Sequence, residues 1–122
     1  MKILLIDDSA LSKKMIMRVF GAVDIGIETV EADGGITGIA VFETEKPDIV
    51  FCDLLMPDMD GIDVVRQIRA KSDKAFIVVL SSDAQEERQK EADEAGSDLF
   101  IKKPLDLKKM DRCIATYHDC HK

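Results

Sequence analysis

Apolar residues in this chain come in short runs, separated by stretches of helical spacing. The runs are "KILLID" (2–7), "IETVEA" (27–32), "DIVFCD" (48–53), "AFIVVLS" (75–81) and "DLFIKK" (98–103). Each is rich in Ile, Val, Leu or Phe. Continuous rather than alternating runs predict strands covered on both faces. Between them, apolar residues recur every three or four positions. Leu11, Met15 and Val19 form one stripe, with Ser9 placed to cap its start. Ile36, Ile39 and Phe42 follow Gly34–Gly35, and Ile62, Val65 and Ile68 follow Asp60–Gly61. Leu107, Met110, Ile114 and Tyr117 form the last stripe. The stretch "DAQEERQKEADEAG" (83–96) has only Ala84, Ala92 and Ala95 as apolar residues. It predicts a helix lightly held to the core, and so a candidate for movement.

Five strands alternating with five helices predict an α/β domain with a parallel sheet and right-handed crossovers. At 122 residues, the flavodoxin-like strand order 2-1-3-4-5 suits the length best. Its switch point falls between strands one and three. The same length predicts a single domain, 1–122, with no repeat, linker or low-complexity segment. A domain of this size buries about 60–70% of its unfolded surface, enough for a real core.

Composition narrows the partners. Apolar residues make up 46% and charged residues 34%, as in a soluble globular protein. The net charge of −7 argues against nucleic acid or an anionic membrane as a direct partner. No apolar run approaches the roughly 18 residues of a membrane helix, and "MKILLIDD" lacks the form of a signal peptide. A cytoplasmic location without membrane insertion follows, with Cys52, Cys113 and Cys120 reduced.

The candidate chemistry is acidic. Strand one ends in Asp7 and Asp8, and strand three ends in Asp53, followed by "LLMPDMDG". In this topology those strand ends are neighbours at the ligand crevice of an open α/β sheet. Two unit charges about 4 Å apart repel by about 4 kcal/mol at an effective dielectric of about 20. Such a cluster takes up protons or binds a cation, and oxygen ligands at a partly open site favour Mg2+. Asp58 and Asp60 read as turn and helix-start residues. Strand four brings the Ser81 hydroxyl to the same edge, and strand five brings Lys103, just before Pro104. A hydroxyl and an ammonium facing a carboxylate beside a divalent cation suit a phosphoryl group on that carboxylate.

"DD" after strand one, "CDLLMPDMDG" after strand three, "LSS" after strand four and "KP" after strand five, in that order, resemble the receiver domain of two-component response regulators. The resemblance covers the whole chain. It implies that Asp53 accepts a phosphoryl group from a histidine kinase or phosphotransfer protein. It further implies that Asp7, Asp8, Asp53 and the Leu55 carbonyl hold magnesium, and that Lys103 binds the phosphate. Ser81 matches the switch hydroxyl and Phe100 the switch aromatic, while Leu55 and Asp83 match positions that modulate dephosphorylation. A cis peptide before Pro104 is implied as well. A stand-alone receiver acts on a downstream partner in trans, through the fourth helix, fifth strand and fifth helix.

Two enzyme-like or carrier readings compete. A haloacid-dehalogenase-type phosphatase also uses an acid after a strand with magnesium. Such enzymes usually carry a second acid two residues on, where this chain has Leu55. A flavin carrier on the same fold needs a phosphate loop after strand one, where Asp7 and Asp8 would repel a phosphate. Cys113, His118, Cys120 and His121 have the composition of a zinc site, but their compact spacing argues against a closed tetrahedral one. Cys52, inside strand three, reads as core.

Overall fold

The computed structural model describes residues 1–121. Five strands, β1 (Lys2–Ile6), β2 (Glu28–Ala32), β3 (Ile49–Cys52), β4 (Phe76–Ser81) and β5 (Leu99–Lys102), form one parallel sheet in the order β2-β1-β3-β4-β5. Five helices connect and follow them: α1 (Ala10–Ala22), α2 (Gly35–Glu45), α3 (Gly61–Lys71), α4 (Glu86–Ala95) and α5 (Leu107–Cys120). The flavodoxin-like arrangement predicted from the apolar pattern is the one observed. No helix among the described residues is long and apolar enough to cross a membrane.

Continuous apolar runs are explained by burial on both sheet faces. Ile3 and Leu5 face one side with Phe51, Val78 and Leu80, where Ile16, Phe20, Met110 and Cys113 of α1 and α5 cover them. Leu4 and Ile6 face the other with Val50, Cys52 and Val79, under Ile39 and Phe42 of α2, Val65 and Ile68 of α3, and Ala92 and Ala95 of α4. Fully burying one such large apolar side chain contributes about 1.5–3 kcal/mol.

Capping sets the helix starts. Ser9 Oγ accepts from the Ser12 N–H at the start of α1. Asp60 caps α3 and Asp106 caps α5 in the same way. Helix α4 starts without a side-chain cap and ends at Gly96, whose φ of 115° is a left-handed conformation that glycine adopts without strain.

The α1 stripe is a correction. Leu11 is 70% exposed and Met15 50% exposed, with only Val19 half-buried. The buried face of α1 lies one position further round, at Ile16 and Phe20. Phe20 meets Phe51 edge-to-face at 5.2 Å. Ile36 and Leu107 are also exposed, at the outer ends of stripes whose other members point inward.

Candidate functional site

The sheet delivers its key side chains one residue beyond the strands. The Asp7 N–H donates to the Ala32 carbonyl at 3.1 Å, Asp53 N–H to Ile6 at 3.0 Å and Lys103 N–H to Ser81 at 2.9 Å. Strand pairing thus continues into the crevice and fixes the backbone of all three residues. One carboxylate oxygen each from Asp7, Asp8 and Asp53 lie within 4.8 Å of one another. Asp7 is buried, Asp53 half-buried and Asp8 exposed. Three hard oxygen donors, one of them open to water, fit a magnesium ion that keeps part of its hydration shell.

Lys103 closes the cluster from the far side. Its Nζ donates to Ser12 Oγ at 2.9 Å, Asp7 Oδ2 at 3.1 Å and Asp53 Oδ2 at 3.3 Å. Ser12 Oγ donates to Asp7 Oδ2 at 2.6 Å, and the Ser9 N–H donates to Asp7 Oδ1 at 2.9 Å. Burial lifts the Asp53 carboxyl above its ordinary range; the Lys103 ammonium pulls it back and the Asp7 charge pushes it further up. The Lys103–Pro104 peptide is cis.

The loop after β3 is built around the same carboxylate. The Leu55 N–H donates to Asp53 Oδ1 at 3.4 Å, while the Leu55 side chain is 62% exposed. Gly61 donates to the Leu54 carbonyl at 2.9 Å, and a Cβ on it would stand 2.2 Å from the Asp53 carbonyl oxygen. No residue with a side chain fits there without moving the backbone that carries Asp53.

Asp60 is a helix-start residue, as its sequence position predicts. It also receives both Arg88 Nη2 contacts, at 3.0 and 3.2 Å, from α4. Asp58 does more than turn the chain. Its two oxygens accept from the Gly35 and Ile36 N–H groups, each at 3.1 Å, and so cap α2, whose own N-cap Gly34 has no side chain. Those two bonds hold the Asp58 carboxyl below its usual range.

Ser81 is fully buried at the end of β4, and its Oγ accepts from the Asp83 N–H at 3.1 Å. Asp83 in turn accepts from the Gln85 N–H at 3.2 Å ahead of α4. Phe100 is half-buried against the core on the α4 side, in register with Val79. The fold therefore brings Asp7, Asp8, Asp53 and Lys103 into one site. Ser81, Asp83 and Phe100 stand beside it on the β4–α4–β5 side.

Two other features lie outside the acidic cluster, the first beside it and the second at the opposite end of the sheet. A groove of about 730 Å³ runs from Lys103 and Ser82 along α1, lined by Leu11, Met15, Val19 and Leu105. Of the C-terminal Cys/His group, Cys113 is buried in the core, which pushes its thiol up to about 12. His121 stacks on Tyr117 with centroids 4.3 Å apart. Sequence reasoning missed Ser12, Arg88 and the capping role of Asp58. A serine in a first helical turn reads as surface, and nothing local points to partners 91 residues away.

Comparison with known proteins agrees with this geometry. A family model described as the response regulator receiver domain matches residues 3–115. The chain is 32% identical over 105 residues to the chemotaxis protein CheY of Listeria monocytogenes, covering 86% of this chain and 87% of that protein. It is 24% identical over 116 residues to sporulation initiation phosphotransferase F of Bacillus subtilis, covering 95% and 92%. Among solved structures, a chain of the CheX–CheY–BeF3–Mg complex from Borrelia burgdorferi matches with a TM-score of 0.87 at 27% identity, over 96% of this chain and 88% of that one.

Proposed function

The chain belongs to the response regulator receiver family, and from that premise we propose that Asp53 is the residue on which it accepts a phosphoryl group. As a receiver domain it is a phosphoacceptor and signalling switch of two-component systems. The donor in this reading is a histidine kinase or phosphotransfer protein, the location is cytoplasmic, and the output partner is a separate protein acted on in trans.

One observation carries the assignment. Among the acids of the crevice, Asp53 is the half-buried one that faces the Lys103 ammonium, at 3.3 Å, with Asp7 and Asp8 alongside. Asp7 is buried with its oxygens taken up by Lys103, the Ser12 hydroxyl and the Ser9 N–H, and Asp8 is exposed. A carboxylate oxygen of Asp53 attacks phosphorus and forms an acyl phosphate. The P–N bond of a phosphohistidine breaks, and its electron pair leaves with the imidazole, which takes up a proton. Asp7, Asp8, Asp53 and the Leu55 carbonyl would hold magnesium. When bound, that ion supplies positive charge beside the transferring oxygens. Lys103 balances charge on the opposite side. Ser81 is the hydroxyl that hydrogen-bonds the phosphoryl group, and Phe100 responds to its movement. The same site would catalyse its own dephosphorylation, with Leu55 and Asp83 flanking the approach of water. Leu55 is apolar and offers no group to hold that water, which favours a long-lived phosphoryl state.

The α1 groove supports the route of entry. It presents an exposed apolar wall that opens onto Lys103, where the phosphoryl group has to arrive, and we assign it to the incoming donor domain. The decisive experiment is intact mass after acetyl phosphate treatment with magnesium. Wild type should gain one phosphoryl mass and Asp53→Asn none. An unchanged gain in Asp53→Asn would place the acceptor elsewhere.

A further inference from the structure

The Lys103 ammonium has three hydrogens and three acceptors, and the shortest of its contacts is to the neutral one, Ser12 Oγ at 2.9 Å. The two carboxylate contacts, to Asp7 and Asp53, are longer, at 3.1 and 3.3 Å. The serine is itself held on two sides. Its N–H donates to the Ser9 cap, and its hydroxyl donates to Asp7 Oδ2 at 2.6 Å. Asp7 is in turn fixed by burial and by the Ser9 N–H on its other oxygen. With its proton committed to Asp7, the hydroxyl turns its lone pairs to Lys103.

This matters because an ammonium and a divalent cation compete for the same carboxylate oxygens. A lysine centred between Asp7 and Asp53 would screen the cluster that a cation needs. A neutral acceptor to one side draws the ammonium off centre without adding another negative charge. We propose that Ser12 is a positioning residue of this site, seating Lys103 on the α1 side so that Asp53 and Asp8 stay open to the cation and to the incoming phosphoryl group. The proposal rests on the reading of Asp53 as the phosphoacceptor. Without the hydroxyl, Lys103 has only the two carboxylates to bind and settles between them.

The test is a magnesium titration by calorimetry on the full chain, in parallel with the rate of phosphorylation by acetyl phosphate. Ser12→Ala should weaken magnesium binding by about three- to tenfold, the ratio set by one hydrogen bond of ordinary net strength, and slow phosphorylation to a similar degree. Thr and Val have the same shape and differ in the hydroxyl. Ser12→Thr should therefore restore both quantities, and Ser12→Val should behave as Ser12→Ala. In a Lys103→Ala background the Ser12→Ala effect on magnesium should shrink to under about twofold, since the residue it positions is gone. Wild-type affinity in Ser12→Ala, equal behaviour of the Thr and Val variants, or a loss that persists without Lys103 would each overturn the proposal. The magnesium titrations need no phosphoryl transfer. They judge Ser12 even if the Asp53→Asn mass experiment rejects the acceptor.

Discussion

Asp53 sits where two demands conflict. As a nucleophile it has to be ionised, yet it is set in a crevice that disfavours its charge, with burial outweighing Lys103. A carboxyl whose folded pKa lies above its unfolded value stabilises the fold fully only below the unfolded value. That contribution is lost as pH rises through the folded pKa. At neutral pH without metal, the ionised Asp53 therefore destabilises the native state. Asp53→Asn keeps the shape and removes the charge, so in chelator at neutral pH it should melt higher than wild type. The difference should shrink as pH falls through the carboxylate range. Thermal unfolding followed by circular dichroism at neutral and acidic pH checks this, and a lower melting temperature for Asp53→Asn at neutral pH would mean that the Lys103 pairing dominates. The acid itself was legible in the sequence, because it ends a buried run. Its balance of burial against Lys103 was not, since that depends on how far the loop after β3 covers it.

Elements are joined here by polar side chains that reach across the fold, and those joints were the part of the site least legible in sequence. Asp58 satisfies two first-turn N–H groups of α2 from 22 and 23 residues away. No spacing rule ties a turn aspartate to a helix already passed. Asp58→Ala leaves those donors unpaired, because Gly34 has no side chain to replace it. It should lower the melting temperature at neutral pH and speed amide exchange at Gly35 and Ile36. The sign with pH is opposite to that of Asp53. A depressed carboxyl stabilises above its unfolded pKa and loses that effect as pH falls through the folded one, so the gap should close on acidification. Equal exchange at Gly35 in the two proteins would show that water replaces the cap at no cost. Helix α1 teaches the complementary lesson. It carries two apolar stripes, and spacing alone cannot say which faces inward. The sheet takes Ile16 and Phe20 because they meet Phe51 and its neighbours, leaving Leu11 and Met15 on the groove wall. If that wall receives the phosphodonor, Leu11→Glu should slow transfer from a phosphorylated histidine domain at least about tenfold more than transfer from acetyl phosphate. Equal slowing with both donors would move the docking face elsewhere.

At the scale of the whole molecule, the strand order was readable because the inner strands β1, β3 and β4 are buried on both faces. That burial writes them as nearly unbroken apolar runs between helical stretches, while the edge strands β2 and β5 are partly exposed and more polar. The same logic marks where the fold is weakest. Helix α4 buries only Ala92 and Ala95, so its hold on the core is small, as its polar sequence predicted. Polar ties hold it at both ends. Arg69 of α3 donates to the Gly96 carbonyl at its C-cap. Arg88 near its start donates to Asp60, back to the start of α3 and so to the loop that follows Asp53. Its other end of influence is the β4–α4 loop, where Ser81 Oγ and Asp83 N–H are paired. A phosphoryl group on Asp53 offers Ser81 a charged acceptor, and such a hydrogen bond is worth about 1.5–3 kcal/mol. That shifts a two-state equilibrium by roughly one to two powers of ten, enough to move a lightly held helix and too little to rebuild the sheet. Ser81 moving toward Asp53 draws the Asp83 end of the loop with it and opens space into which Phe100 can turn. Amide exchange should therefore change on phosphorylation over residues 81–104 and stay constant in β1 and β3. Ser81→Ala should still take up the phosphoryl mass but show a much smaller exchange change over 81–104. Arg88→Ala should raise exchange in α4 even without phosphorylation, because it cuts the tie to Asp60 while leaving Ser81 and Asp53 untouched. A Ser81→Ala protein whose phosphorylated form shows the full wild-type exchange change would remove the hydroxyl from the switch.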